Sequence, residues 1–279
     1  MTELEIKAYA KVNLTLDVLK KREDNYHDIS SIMQQISLHD TITIKSNPKV
    51  IVQCKGVPEE NNLAYKAAYL LKNTFNVKAG AFIDIEKKIP IGGGLSGGSS
   101  DAASVLKALN ELWELHLNIG DLERMGAELG MDVPFSILGG TCIATNRGEI
   151  VEKIKTPELH FVLVNPGIGI STKEAYSVLN LDKCGRTNST QKMLKAIKEN
   201  DIKGITDNLH NDFEYSLSER YSFIKDIKED LKKNGAISSV MSGSGATIYG
   251  VFENKDKAKI SFQNLKKTYE FVSIAESIK

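Results

Sequence analysis

Cysteine is scarce in this chain. Three residues, Cys54, Cys142 and Cys184, lie far apart and form no C-x-x-C pair. That argues against a disulfide framework and against a cysteine metal site, and the thiols read as reduced. The five histidines supply no H-E-x-x-H pair. No stretch is apolar for long enough to cross a bilayer. Residues 1–7 alternate polar and apolar and lack the apolar core of a signal peptide. The expectation is therefore a cytoplasmic protein with no membrane partner. An excess of one charge is missing too: Lys+Arg and Asp+Glu are both 36, so the formal net charge is zero. A nucleic-acid partner would call for a basic excess, and none is expected.

What is present is ordinary for a globular protein: 279 residues, 41% hydrophobic and 26% charged. The length suffices for one large or two modest domains. Residues 4–10 and 12–18 alternate as strands, with Val12, Leu14, Leu16 and Val18 on one face and Lys11 and Asn13 on the other. Strands are also expected at 41–45, 50–54, 81–86, 141–145, 160–164, 246–252 and 271–274. Helical spacing marks 62–75, the segment after residue 100, 122–129 (stopped at Gly130), 173–179, 190–198, 219–233 and 255–267. Early strands followed by later helices point to an α+β fold, with the best boundary at 153–158 around Pro157.

The strongest local signal is Pro90-Ile91-Gly92-Gly93-Gly94-Leu95-Ser96-Gly97-Gly98-Ser99-Ser100. Glycines admit positive φ and let backbone N–H groups turn inward and approach an anion. The helix that follows adds partial positive charge at its N-terminus, with Ser99 or Ser100 as cap and Asp101 in the first turn. The Lys-Ser/Thr ending of a Walker A loop is absent, and so is the dinucleotide fingerprint. A flexible linker would also be rich in Gly and Ser. This run, however, is clamped between an apolar strand and an amphipathic helix, which favours phosphate binding.

That run, continued by Asp101-Ala102-Ala103, resembles the central motif of the GHMP kinases. Residues 8–16 (Ala-Tyr-Ala-Lys-Val-Asn-Leu-Thr-Leu) and Asn25-Tyr26-His27 resemble the branch of that superfamily whose acceptor is 4-diphosphocytidyl-2-C-methyl-D-erythritol. Met241-Ser-Gly-Ser-Gly-Ala246 resembles the superfamily's third motif. The motifs fall in family order from start to end of the chain. Asn25 replaces a frequent Gly but tolerates the same left-handed turn. Met33 stands where the family has an aromatic, and Ser96 and Asp101 also depart from common choices.

The resemblance implies a two-domain α+β fold. An N-terminal ATP-binding domain, like domain 2 of ribosomal protein S5, would span 1–155, and a ferredoxin-like C-terminal domain 156–279, with the active site in the cleft between them. It implies ATP as co-substrate, with Pro90, Ile91, Gly92, Gly93, Gly94, Leu95, Ser96, Gly97, Gly98, Ser99 and Ser100 around its phosphates, and Asn62 and Lys87 toward the adenosine. Mg²⁺ would accompany the nucleotide. Asp132, in Gly130-Met-Asp-Val-Pro134, matches the catalytic aspartate and Lys11 the catalytic lysine; read alone, they would be a turn residue and a surface strand lysine. Asn13 would bind substrate or hold Lys11. Tyr26 and Tyr176 would stack on a cytosine whose edge His27 reads. The expected reaction is phosphorylation of the acceptor's 2-hydroxyl in the non-mevalonate isoprenoid route, by a monomer or weak homodimer. The alternatives are a GHMP kinase for another small alcohol, or a non-catalytic nucleotide-binding protein on the same scaffold.

Overall fold

The computed structural model describes residues 3–279; Met1 and Thr2, at the head of the alternating segment, lie outside the described residues. The first half begins with two long strands, β1 (Glu3–Lys21) and β2 (His27–Asn47). After them come β3 (Ile51–Cys54), α1 (Leu63–Thr74), β4 (Gly80–Glu86), α2 (Gly97–Leu112), α3 (Ile119–Leu129), α4 (Val133–Leu138), β5 (Thr141–Asn146) and β6 (Ile150–Ile154). The second half contains β7 (His160–Asn165), α5 (Thr172–Ser177), α6 (Ser189–Lys198), α7 (Ile202–Asp207), β8 (His210–Asn211), α8 (Asp212–Arg220), α9 (Phe223–Lys233), β9 (Ser238–Met241), β10 (Ile248–Phe252), α10 (Lys255–Leu265) and β11 (Phe271–Glu276).

β1 and β2 pair antiparallel along most of their length, with register shifts at Tyr9/Lys11, Asn13/Thr15 and Val18/Lys20. Such bulges re-aim side chains within a strand, and two of them bracket Lys11 and Asn13. β2 is long enough to pair with both β4 and β5 along its other edge. β8 joins β1 in parallel, so the second half of the chain completes the first sheet. Asp212 pins this junction: its carboxylate accepts from the Val18 and Gly185 amides and from His210 Nε2.

Helices α1 to α4 cover one side of this sheet. Ala102, Val105, Leu106 and Leu109 of α2 pack with Ala8, Ile42, Ile44 and Ile83 in one buried cluster. Leu106 and Leu109 are wholly buried, a gain of about 1.5–3 kcal/mol each over exposure. Asn62 caps α1 by accepting from the Ala64 amide, and Asn118 with Asp121 forms a capping box on α3. In the second sheet the order is β11-β7-β10-β9. Its β-α-β-β-α-β sequence, through β7, α9, β9, β10, α10 and β11, is the ferredoxin-like arrangement. Period-2 alternation gives this sheet two apolar faces: Phe161, Leu163, Tyr249 and Val251 meet β1 and β2, while Val162, Val164, Ile248 and Phe252 meet α8 to α10.

Several expectations need correcting. The strand expected at 41–45 starts fourteen residues earlier, at His27. The single helix expected over 219–233 is two, because the chain turns extended at Tyr221. Neither Ser99 nor Ser100 caps α2: Ser96, at φ 55, occupies that position, and Asp101 lies one turn further in and is buried. The three cysteines are free thiols, and burial pushes those of Cys142 and Cys184 up, to about 12 and about 11. Among the described residues no helix is long and apolar enough to cross a membrane.

Candidate active site

The glycine run forms a cradle pressed against the second half of the chain. Gly92, Gly94 and Ser96 are all left-handed, at φ 67, 74 and 55. Gly94 admits no side chain: a Cβ would sit 2.2 Å from the Ser242 carbonyl. Its own carbonyl accepts from Ser242 Oγ at 3.0 Å, and the Gly93 carbonyl accepts from the Thr247 amide at 3.2 Å. The segment 241–246 thus buttresses the loop, and Asn211 Nδ2 fixes that segment by donating to the Met241 and Gly243 carbonyls. The first intrahelical bond of α2 runs from the Ser100 amide to the Ser96 carbonyl. The amides of Gly97, Gly98 and Ser99 therefore have no partner within the helix and sit at its positive end.

Lys11 and Asp132, 121 residues apart, meet beside this loop. Lys11 Nζ lies 3.6 Å from Asp132 Oδ2 and donates to Asn13 Oδ1 at 2.5 Å. Lys11 is only 4% exposed, not the surface lysine its strand pattern suggests on its own. Its amide donates to the Leu95 carbonyl, tying β1 to the loop. Ser96 Oγ donates to Asp132 Oδ2. Asn13 in turn donates to Ser31 Oγ, which donates to the Thr15 carbonyl, and Tyr249 donates to the Asn13 carbonyl. Lys11, Asn13, Ser31 and Tyr249 are all buried, so the lysine is held in one arrangement, while Asp132 stands about a third exposed at the cavity surface.

A single cavity of about 600 Å³ joins these parts. Residues 90–99, Lys11, Asn13 and Asp132 line its middle. Asn62, Lys87, Cys54 and Val57 line it as well, and so do Tyr26, Met33, Arg147, Tyr176 and Phe213. Ser100 does not line it; its hydroxyl donates to the Tyr9 carbonyl. His27 does not line it either. Its ring stacks on Tyr176 at 4.6 Å and 15° and so covers one face of that ring. Phe213 meets Tyr176 edge-on, and burial pushes the Tyr176 phenol up to about 12. Tyr26 is half exposed beneath the Arg147 guanidinium. Asn25, at φ 65, makes the left-handed turn before it. Arg147 and Phe213 were missed by sequence reasoning; a left-handed Asn146 and an N-capping Asn211 are their only local marks.

Lys87 is not a free ammonium. It bridges Asp40 Oδ2 and Asp101 Oδ2, both at 2.6 Å, and Asp40 Oδ1 takes the Lys88 and Ile89 amides. Two buried carboxylates face one cation. Burial pushes the Asp101 carboxyl up to about 7; the Lys87 ammonium pulls the other way, and the Asp40 charge adds to the rise. The proton that Asp101 holds in the fold, but would lose at 3.8 when unfolded, stabilises fully below 3.8, and this contribution is lost as pH rises through about 7. Asp101→Asn removes that loss. Relative to wild type, the variant is expected to be more stable at pH 8 than at pH 5, as read by urea unfolding. Parallel pH profiles for the two proteins would remove Asp101 from the titration.

A cradle of inward amides beside a buried lysine and a carboxylate is the apparatus of phosphoryl transfer, and the comparisons agree. Residues 62–140 match the sequence model of the GHMP kinases N terminal domain, and residues 193–270 that of the GHMP kinases C terminal domain. The chain belongs to the GHMP kinases, and its two-part α+β fold is theirs. A homoserine kinase from Cytophaga hutchinsonii, 18% identical, shares that fold with TM-score 0.78 over 100% of this chain and 95% of its own.

Within that class the likeness is narrower. A 4-diphosphocytidyl-2-C-methyl-D-erythritol kinase of Thermoanaerobacter pseudethanolicus is 42% identical over 100% of this chain and 97% of its own. One from Clostridium botulinum is 42% identical over 99% and 100%. A crystal structure of 4-(cytidine 5'-diphospho)-2C-methyl-D-erythritol kinase superposes with TM-score 0.86 and 29% identity over 99% of this chain and 100% of that one. The chain belongs to the 4-diphosphocytidyl-2-C-methyl-D-erythritol kinase family.

Proposed function

We propose that the protein transfers the γ-phosphoryl group of ATP to the 2-hydroxyl of 4-diphosphocytidyl-2-C-methyl-D-erythritol, a step of isoprenoid precursor synthesis, in the cytoplasm. The observation that carries this reading is the one continuous cavity: it links an anion cradle, the Lys11–Asp132 couple and an aromatic cluster. The triphosphate lies along residues 92–99, with the amides of Gly97, Gly98 and Ser99 toward its oxygens. Asp132 accepts the proton of the acceptor hydroxyl as that oxygen attacks phosphorus. Lys11, held by Asn13, faces the charge that spreads over the transferred group. Asn62 and Lys87 stand toward the adenosine, Lys87 as the brace of that wall. Division at 155/156 follows the passage from β6 of the first sheet to β7 of the second.

The residues present fit Mg²⁺. The lining beside the cradle offers hard oxygen donors, Ser99 Oγ and the Asp132 carboxylate. Ser99 would hold the ion together with phosphate oxygens, and the bound ion would neutralise phosphate charge.

Tyr26 and Tyr176 present the aromatic surface for the cytosine. His27, stacked behind Tyr176, fixes the tilt of that ring. Loss of a base–aromatic stack costs about 1–3 kcal/mol. Tyr176→Ala is expected to raise KM for the cytidine acceptor roughly five- to 150-fold, the same 1–3 kcal/mol, with KM for ATP little changed. The assignment itself is tested by ADP release with the cytidine acceptor and with alcohols that lack a nucleotide. Turnover confined to the latter would overturn it.

A further inference from the structure

A second cavity, about 200 Å³, lies where α2 passes the turn between α4 and β5. Lys7, Lys107 and Lys153 line it, Lys279 reaches its rim, and no acidic side chain takes part. None of the four lysines forms an ion pair among the described residues, although the chain's formal charges balance. We propose that this cavity binds a small phospho-anion, of phosphate or diphosphate size, at a site separate from the nucleotide cradle.

Two further observations point to a ligand. Ser104 is 4% exposed and lines the cavity, yet its hydroxyl has no hydrogen-bond partner among the described residues. Facing the cavity, that hydroxyl is free to bond a ligand oxygen. Lys107 is the second: its ammonium reaches only the Ser136 and Ile137 carbonyls, at 3.4 and 3.3 Å. No carboxylate side chain lines the cavity to pair with it, which leaves its charge available to an anion. The Gly139-Gly140 turn, left-handed at both residues, forms the wall; a Cβ on Gly140 would meet Lys153 and the Lys279 backbone. Cavities that take nucleotide-sized ligands begin at about 300 Å³, so the occupant is smaller than a nucleotide.

The site is coupled by position to the reaction centre. Ser100, one turn before Ser104 on α2, donates to the Tyr9 carbonyl two residues before Lys11. Gln35, whose side chain accepts from the Gly140 amide, pairs with Lys11 across the β1–β2 ladder. An anion here therefore touches the same strand and helix that carry the lysine and the cradle.

The test is calorimetric titration with inorganic diphosphate, phosphate and glycerol 3-phosphate, with the nucleotide cradle first saturated by a non-hydrolysable ATP analogue. Wild type is expected to bind one diphosphate per chain. K107Q/K153Q is expected to bind it at least about tenfold more weakly, through loss of charge-assisted hydrogen bonds, with affinity for the analogue unchanged. Should the double variant not fold, S104A carries the test, with weakening of several-fold. Tighter binding of the two inorganic anions assigns the site to free phosphate species; tighter binding of the ester assigns it to a phosphoryl end group. No second binding event in wild type, unaltered affinity in the folded variants, or equal competition by chloride at matched ionic strength would overturn the proposal.

Discussion

Asp132→Asn is expected to lower kcat by at least about a hundredfold, the range lost when a general base is removed, while ATP-analogue affinity stays within a few-fold. The substitution keeps shape and takes away the proton acceptor. The fold should tolerate it for reasons visible at the position. Asp132 precedes α4 but its side chain makes no cap bond, so the helix loses no N-terminal partner. Ser136 Oγ donates to the Asp132 main-chain carbonyl, not to the carboxylate. Ser96 Oγ, which donates to the carboxylate, can donate equally to an amide oxygen. The carboxylate is about a third exposed at the cavity surface, and the buried Lys11 ammonium, which loses its ion-pair partner, keeps Asn13 Oδ1 as acceptor. ADP release and analogue titration on one preparation read the two quantities separately. Normal turnover in the variant would take Asp132 out of the chemistry and leave positioning alone as the source of rate.

How much of this site could be read in the sequence depends on how local its cause is. The cradle was legible because glycine spacing and the helix behind it are contiguous. Even so, the start of α2 was misplaced by a turn, since a left-handed Ser96 takes over the cap. The first half of β2 was not legible. Ser30, Ser31, Gln34 and Gln35 interrupt its apolar pattern, yet Ser31 and Gln34 are wholly buried. They tolerate burial because long-range partners satisfy them: Asn13 for Ser31, and Thr141 and the Ile278 carbonyl for Gln34. A window along the chain cannot see such partners. Lys87 shows the same limit. The resemblance put it toward the adenosine, and its two carboxylates, from β2 and α2, make it a buried brace there, which no local pattern announces. The pairing of Lys11 with Asp132 had no local signal, and only the resemblance of separate motifs brought the two together. The ferredoxin-like second sheet was half legible, because β10 and β11 alternate clearly while β9 is four residues long.

Lys11→Met is expected to reduce kcat by about a hundred- to a thousandfold, the scale of removing one preorganised charge from a transition state. The ammonium has two neighbours that give it this weight: the Asn13 oxygen at 2.5 Å and the Asp132 carboxylate at 3.6 Å. Methionine fills nearly the same space in a strand interior, so packing against the β1–β2 ladder is retained. Asn13 keeps its bond to Ser31, which limits the disturbance to one lost hydrogen bond. The sharper measurement is the double variant K11M/D132N. Residues that act together on one transition state work as a unit, and their losses do not add. The double variant is therefore expected to be no slower than about the worse single variant. If the two losses multiply, lysine and aspartate contribute independently, and the buried chain from Tyr249 through Asn13 to Lys11 is scaffolding for the loop rather than the alignment of a lysine–aspartate couple. The Leu95 carbonyl, bound by the Lys11 amide whatever the side chain, keeps the cradle in place in every variant, so ATP-analogue affinity distinguishes loss of chemistry from loss of the site.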